Sequence, residues 1–489
     1  MNVMSSRSKY LVKDHTPQLI FVLAVGVWFS GCFKSVQSTS RDTSDTASET
    51  IVDTFSDVNT DTETDTDFDS DSSSPWDSDT APPGGCDGPI QFPDDNLETV
   101  VREYIGKPTG DILSEDVAFL TYLNASTAWT GPTLVDLEYP CPFFTDRIVA
   151  DLAGLECLTN LEEINLTCNE VTNLGSLSTL ADLSRLLLPT NQITDVSVLA
   201  ALTHLEFINL SSNEITDVTP LAGLIELESL SASTNSIADI GSLSGLTALE
   251  QLYLSDNRIS DIGPLSNLTA LTSLGLSSND IADVSALAGL ENLTRLYLSD
   301  NQIADIHSLE KLNALTDLYL DNNQVADLSP VASAVSMLRL HANADRISSI
   351  APLSALTILV ELYMGGNQIT DIDALSGLTN LRELNLSSNE IVDIQPLSGL
   401  TLVYELDLSS NRIKDISALS SMTGLRRAYL SSNEITDLSP LVANTSLGTG
   451  SYDELYIDGN SYDCDDASVQ SDISALESLR FSVFVHDCE

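Results

Sequence analysis

The sequence has few positively charged and few aromatic side chains. It contains 20 Lys and Arg residues against 72 Asp and Glu residues, which gives a formal net charge of −52. A surface this acidic repels phosphate backbones, so nucleic acid is not expected as a partner. Aromatic residues make up 6% of the chain, which fits a core built from aliphatic side chains.

Groupings typical of enzymes and metal sites are also missing. The five His residues are scattered and there is no Cys-x-x-Cys pair, so the sequence predicts no metal site. No Ser/His/Asp set or phosphate-binding loop stands out, since Ser, Asp and Asn are frequent throughout. We therefore expect neither enzymatic activity nor a cofactor.

An apolar run near the amino terminus, residues 19–31, is shorter than the roughly 20 residues that a transmembrane helix needs. Basic residues precede it, and Ser30-Gly31 lead into Cys32. This arrangement resembles a bacterial lipoprotein signal peptide, which implies cleavage before Cys32 and a lipid on its sulfur. Phe33 after the Cys favours the outer membrane or cell surface. The alternative is an ordinary cleaved signal peptide followed by an accidental Cys.

What the chain has in abundance is a repeat of 22 residues. Its phrase is Leu205-x-x-Ile208-x-Leu210-x-x-Asn213-x-Ile215, and Asp345 replaces the Asn in one copy. A leucine pattern with a fixed period of this length is the signature of a leucine-rich-repeat solenoid. The repeated Asn residues are Asn169, Asn191, Asn213, Asn235, Asn257, Asn279, Asn301, Asn323, Asn367, Asn389, Asn411 and Asn433.

The repeat, together with the segment Ile90-Gln-Phe-Pro-Asp-x-Asn96-Leu97, resembles bacterial internalin-like leucine-rich-repeat proteins over residues 86–489. The expected fold is an α/β solenoid forming an arc. A parallel β-sheet of fourteen repeat strands lies on its concave face, and short 3-10 or irregular turns lie on its convex face. We expect a helical N-terminal cap and a C-terminal cap made of a helix and a strand, because open ends would expose leucines.

Five segments follow from these patterns. The acidic low-complexity stretch cannot bury enough apolar surface to fold, so it is interpreted as a disordered tether. The segments are the lipoprotein signal peptide at 1–31, the tether at 32–85, the N-terminal cap with an insertion at 86–146, the leucine-rich repeats at 147–460 and the C-terminal cap at 461–489.

Six Cys residues remain besides Cys32, an even number that is compatible with disulfides in an exported protein. Cys464 and Cys488 bracket the C-terminal segment, where a bridge would clamp the last strand. The sequence leaves the connectivity of the others open. They are Cys86, Cys141, Cys157 and Cys168.

Two polar ladders accompany the leucines. Each repeated Asn is expected to satisfy backbone groups of consecutive coils. An Asp follows four residues after most of them, as Asp217 follows Asn213, where a carboxylate can cap free N–H groups of the next turn. A cation-binding row of these Asp residues is the alternative, and the capping interpretation is the simpler one.

The candidate binding site consists of two columns of outward-pointing strand residues. Tyrosine supplies a large rigid surface with a hydrogen-bonding tip, and the glutamates suit a basic or amide-rich partner. The alternative is that Tyr is merely a good strand residue multiplied by repeat duplication. The candidate residues are Tyr253, Tyr297, Tyr319, Tyr363, Tyr429 and Tyr456 in one column, and Arg295, Arg339, Glu361, Glu383 and Glu405 in the other.

The sequence therefore predicts an exported, lipid-anchored, monomeric protein of the bacterial envelope. It would bind a protein or other macromolecule on the concave face of its solenoid. Two alternatives remain open, namely a structural envelope spacer without a specific ligand and a regulatory subunit of an enzyme.

Overall fold

The repeats form a stack of coils with one continuous sheet along one side. The computed structural model describes residues 86–127, 141, 147–450 and 452–488, all within one unit, Ser78–Glu489. The predicted signal peptide, the predicted lipidation site Cys32, the predicted tether and most of the predicted insertion lie outside the described residues.

All sixteen strands of the described residues pair in parallel with their neighbours in chain order. They are β1 Tyr122–Asn124, β2 Glu163–Asn165, β3 Arg185–Leu187, β4 Phe207–Asn209, β5 Ser229–Ser231, β6 Gln251–Tyr253, β7 Ser273–Gly275, β8 Arg295–Tyr297, β9 Asp317–Tyr319, β10 Arg339–His341, β11 Glu361–Tyr363, β12 Glu383–Asn385, β13 Glu405–Asp407, β14 Arg427–Tyr429, β15 Asp453–Tyr456 and β16 Phe481–Val485.

The solenoid fold class is confirmed, and so is the expected number of repeat strands. The repeats alone account for fourteen strands, and the caps add β1 and β16 at the two ends of the same sheet. The cap strands join because an end coil leaves its backbone N–H and C=O groups unpaired on one side.

Short 3-10 helices connect the strands from β1 to β14 on the other side of the coils, as predicted. Their short, tight geometry reverses the chain within one repeat. Among the described residues they are Leu155–Cys157, Gly175–Leu177, Ser197–Ala201, Thr219–Gly223, Gly241–Gly245, Gly263–Asn267, Ser285–Gly289, His307–Lys311, Ser329–Val331, Ala351–Ala355, Asp373–Gly377, Gln395–Gly399 and Ser417–Ser421. The α-helices Ser439–Ala443 and Ala467–Glu477 take their place after β14 and β15.

The core is a set of aliphatic ladders between the sheet and the 3-10 helices. Leu205, Ile208 and Leu210 of one repeat are 0% exposed. Their counterparts in the following coils are buried in the same way, so each side chain packs on its equivalents above and below. Burying one Leu or Ile contributes about 1.5–3 kcal/mol, and the repeat multiplies that contribution.

The Asn ladder ties each coil to the preceding one. Asn213 donates from Nδ2 to the carbonyl oxygens of Leu188 and Leu210, both at 3.0 Å. Its Oδ1 accepts from the amide of Ile193, also at 3.0 Å. One amide side chain thus satisfies three backbone groups in the interior, and the structural role expected of these residues is confirmed.

Asp345 is the exception in this ladder. Its Oδ1 accepts from the Val325 amide at 2.9 Å, as an Asn oxygen would. Its Oδ2 finds no hydrogen-bond partner among the described residues. The atom equivalent to Oδ2 in the next coil is Asn367 Nδ2, which donates to the carbonyl oxygens of Ala342 and Met364. Burial accordingly raises the pKa of Asp345 to about 7.

The Asp ladder caps the 3-10 turns. Asp217 Oδ1 accepts from the Thr219 amide at 2.8 Å, and Asp261 Oδ1 accepts from the Gly263 amide at the same distance. Each carboxylate is therefore bonded to the backbone two residues ahead. This geometry agrees with the capping interpretation of the row.

Both caps contain the predicted helices. The Asp94 side chain accepts from the amides of Asn96 and Leu97, and Gly106 ends the first helix with a φ of 65°. Within the described residues no helix is both long enough and apolar enough to cross a membrane. The α-helices are α1 Asp95–Ile105, α2 Ser114–Val117, α3 Ser439–Ala443 and α4 Ala467–Glu477.

Disulfides hold both ends of the stack. Cys464 is bonded to Cys488, the pair that the sequence indicated, and joins the segment before α4 to the residues after β16. At the other end, Cys86 is bonded to Cys157 and Cys141 to Cys168. The cap is thereby linked covalently to the first repeats.

Replacing Asp345 with Asn should stabilise the protein, mainly at neutral and alkaline pH. The folded-state pKa of about 7 lies above the ordinary aspartate value of 3.8, so the folded state holds this proton more tightly. The stability that this proton contributes is complete below the lower value and is lost as pH rises through the higher one. D345N should gain on the order of 2 to 4 kcal/mol at pH 8 and less at pH 5.

Urea denaturation followed by circular dichroism at both pH values measures this difference. The reverse change, Asn323→Asp, places the same defect one coil earlier and should lower stability most at pH 8. An equal gain for D345N at both pH values would contradict the account.

Candidate functional site

The two predicted columns lie side by side on the side of the sheet that faces away from the core, called here the exposed sheet face. Strand register aligns Tyr253 with Gly275, Gly275 with Tyr297 and Tyr297 with Tyr319. All six column tyrosines are half-buried. The fixed stride has therefore placed these rings in one column, each of them partly accessible to solvent.

Four neighbouring rings of this column touch one another. Tyr297 stacks on Tyr319 with ring centres 4.9 Å apart, and Tyr319 meets His341 edge-on at 4.5 Å. His341 contacts Tyr363 at 4.3 Å. These four residues are called the aromatic run. Contact between rings holds each of them in place, so the surface is largely formed before any ligand arrives.

A group of charged side chains lies beside the run. The Arg339 guanidinium binds the carboxylate of Asp317, and its Nε lies 3.3 Å from Glu361 Oε1. His341 Nε2 lies 3.9 Å from Glu361 Oε2. The His341 and Arg339 side chains hold the pKa of Glu361 below its usual value. Arg295 of the same column is exposed.

Glu383 is bonded to two phenols. Tyr363 donates to Oε2 and Tyr404 donates to Oε1 of this carboxylate. Burial and the neighbouring Glu383 raise the pKa values of both hydroxyls well above the usual tyrosine value. Burial, with help from Tyr297, also raises the pKa of Tyr319 to about 12. These tyrosines act as neutral hydrogen-bond donors at physiological pH.

A second aromatic pair lies further along the column. Tyr429 stacks on Tyr456 with ring centres 5.1 Å apart, and its hydroxyl donates to Glu454 at 2.9 Å. Glu405 accepts from Arg427 Nη1 at 2.5 Å. Burial raises the pKa of Glu405, against the opposing effect of this guanidinium.

The three glutamates are already bonded to neighbouring side chains. Glu361 and Glu405 are paired with arginines, and Glu383 accepts from two tyrosine hydroxyls. Their charge is largely committed to holding the surface in shape. A cationic ligand at these residues must share oxygens that are already bonded.

The candidate residues named from the sequence omit two participants, Tyr404 and Asp317. Asp317 nevertheless lies in the charged column, between Arg295 and Arg339. Tyr404 precedes β13 and lies outside both columns, yet it bonds Glu383 in the preceding coil. Asp317 is buried and bonds Arg339. The only available signal for Tyr404 was an aromatic residue at a repeat position that holds Val360 and Arg382 in the two preceding coils.

Comparison with known proteins agrees with this architecture. The family model described as "Leucine Rich repeats (2 copies)" matches residues 225–267, 247–289, 291–333, 359–399 and 379–421, and the model "Leucine Rich repeat" matches 201–218. An internalin (inlF) from Listeria monocytogenes is 34% identical, over 70% of this chain and 97% of the internalin, with a TM-score of 0.65. The chain belongs to the leucine-rich-repeat proteins and is structurally similar to Listeria internalins.

More distant structures share the fold of this leucine-rich-repeat protein. A leucine-rich-repeat protein of Leptospira interrogans is 20% identical over 76% of this chain and 97% of its own, with a TM-score of 0.60. The ectodomain of the Arabidopsis thaliana receptor kinase GASSHO1/SCHENGEN3 is 20% identical over 68% of this chain and 48% of its own, with a TM-score of 0.54. No curated protein matched the chain.

Replacing Glu383 with Gln should lower the pKa values of Tyr363 and Tyr404 towards about 10, the usual tyrosine value. Gln keeps a carbonyl oxygen to accept a hydroxyl but removes the negative charge that opposes phenolate formation. In an alkaline titration followed by the ultraviolet absorbance of phenolate, E383Q should therefore ionise more tyrosines than wild type at a given high pH.

Glu390→Gln is the matched control, because Glu390 pairs with Arg412 and not with a tyrosine. Circular dichroism at each pH establishes that the fold persists. Identical titration curves for wild type and E383Q would contradict the bonding described here.

Proposed function

We propose that this protein binds a protein partner through the aromatic run on its exposed sheet face. The observation that carries the proposal is the set of ring contacts from Tyr297 to Tyr363, held by bonded carboxylates. Tyr and Arg are the residue types that dominate binding energy in protein interfaces. Rings that are already immobilised lose little conformational entropy on binding, which favours affinity.

Repeat duplication does not account for the tyrosines. The same column holds Asn165, Leu187, Asn209, Ser231 and Gly275 in earlier coils, and the strands there pair in the same register. The fold therefore does not require an aromatic residue at this position. A role in ligand binding explains why the rings cluster between residues 297 and 363, whereas strand propensity does not.

The partner is a protein that presents basic or amide side chains between apolar ones. Apolar groups cover the ring edges, while donors reach the oxygens of Glu361 and Glu383. Leucine-rich-repeat structures of this fold occur in complexes with protein or peptide ligands. The Arabidopsis receptor is bound to Casparian strip integrity factor 2, and the plant peptide hormone receptor RGFR1 is bound to RGF2.

The protein acts outside the cytoplasm. Its three disulfides favour an oxidising compartment, and the Listeria internalins are similar to it over most of its length. Cys32 carries the lipid anchor, and the acidic tether after it holds the solenoid away from the outer membrane. The net charge of −52 disfavours nucleic acid as a ligand. The protein works as a monomer and not as an enzyme.

The triple variant Tyr297→Ser, Tyr319→Ser and Tyr363→Ser should abolish capture of the partner. Each interface tyrosine contributes about 1–2 kcal/mol or more, so losing three lowers affinity by more than about 100-fold. The experiment is affinity capture from envelope and neighbouring-cell extracts by immobilised full-length protein, with quantitative mass spectrometry of the captured proteins.

Tyr452→Ser is the matched control, because Tyr452 is 79% exposed and lies outside both columns. Thermal denaturation shows whether each variant retains the stack. A triple variant that is folded and still captures the same proteins at wild-type levels would favour the spacer alternative. A captured enzyme whose activity changes on binding would favour the regulatory alternative.

A further inference from the structure

The exposed sheet face has a second region that differs in chemistry from the aromatic run. It is a hollow of about 810 Å³ that extends from the coil of β3 to the coil of β8. Gly275 of β7 lines it, together with residues that include Phe207, Asn209, Gln251, Tyr253 and Tyr297. The column has small residues here, Ser231 and Gly275, on either side of Tyr253.

The Tyr253 side chain lines this hollow and leans over β7. A Cβ added to Gly275 would come within 2.8 Å of Tyr253 Cδ1, so the ring covers that residue. The Tyr253 hydroxyl is hydrogen-bonded to Ser273 Oγ at 2.9 Å. Ser273 is only 1% exposed although it lies on the exposed sheet face. The half-buried Tyr253 ring therefore packs over β7 and also lines the hollow.

Hydroxyl and amide groups surround this ring. Ten Ser and Thr residues line the hollow, with Asn209 and Gln251, and none of the described lining residues is Lys, Arg or His. Its two carboxylates are Asp256 and Asp300. Hydroxyls donate as well as accept hydrogen bonds. The lining side chains therefore include many groups that both donate and accept hydrogen bonds, and none of these side chains is cationic.

We propose that this hollow binds a neutral oligosaccharide. Sugar rings carry an apolar C–H face, which packs on an aromatic face such as that of Tyr253. They also carry hydroxyls that donate and accept, matching the Ser and Thr groups around them. An anionic glycan would find no cationic residue in the lining, and the neighbouring guanidinium of Arg185 is already stacked on Phe207. It would also be repelled by a chain of net charge −52. A basic peptide finds carboxylates and stacked rings in the aromatic run instead.

The length of the hollow suits a chain of several sugar units. It crosses six strands, and adjacent strands in a sheet are about 4.8 Å apart. Its long axis follows the stack, so consecutive units would meet equivalent Ser side chains of consecutive coils. Ser211 and Ser231 are hydrogen-bonded to each other across neighbouring coils at 2.7 Å. Hydroxyls of neighbouring coils are therefore close enough to contact the same sugar unit.

Isothermal titration calorimetry on the full-length protein tests the proposal. The probes are neutral hexasaccharides of the α-glucan, β-glucan, mannan and chitin types, with hexagalacturonate as the anionic comparison. We expect at least one neutral probe to bind and hexagalacturonate not to bind. Tyr253→Ser should weaken that binding about tenfold, the size of one lost stacking contact.

Two further variants separate the role of the ring from an effect on folding. Gly275→Ala should displace the Tyr253 ring and weaken binding to a similar degree. Gln251→Ala removes an exposed amide, leaves the core untouched and should weaken binding severalfold. Tyr363→Ser lies in the aromatic run and should leave saccharide affinity within about twofold of wild type, so this result is independent of the proposed protein partner.

Absence of binding by all four neutral probes would overturn the proposal. So would binding that is unchanged in Tyr253→Ser, Gly275→Ala and Gln251→Ala, or binding that only Tyr363→Ser weakens. Preference for hexagalacturonate over every neutral probe would overturn it as well.

Discussion

The structure depends on the amide hydrogen bonds by which each repeated Asn joins its own coil to the one before. Asn213 and its equivalents satisfy two carbonyls and one amide that the narrow coil would otherwise bury unpaired. These bonds fix the vertical register of the coils. With the register fixed, leucines stack on leucines, and whatever residue type occupies an outward position becomes a file on the sheet surface. The surface that we propose for binding is therefore built on structural repetition and modified coil by coil.

The coil of β10 shows how far such modification goes. It carries Asp345 in place of Asn, Arg339 between two carboxylates and His341 within the aromatic run. The interior defect and the surface contacts thus belong to the same 22 residues. Stability in a stack is a sum of coil and neighbour terms, so the intact Asn coils on both sides hold this one in place.

Most of the fold and the position of each column residue could be predicted, because a fixed stride leaves one register. The contacts within the columns could not. Whether Tyr253 stands upright or lies over Gly275, and whether Tyr363 bonds Glu383, depends on rotamers that a repeat pattern does not encode. The links Cys86–Cys157 and Cys141–Cys168 depend on how the cap folds back on the first repeats. Strands β1 and β16 were recognisable, but their place in the main sheet came from the unpaired edges of the end coils.

The spacing of the rings also limits what can bind in step with them. Successive rings of the aromatic run lie between 4.3 and 4.9 Å apart, whereas an extended peptide places side chains on one face about every 6.8 Å. A peptide laid along the stack loses its match with the rings within two coils. An extended peptide therefore cannot place one side chain against the ring of every coil. Its selectivity must come from a few adjacent side chains that fit the rings locally.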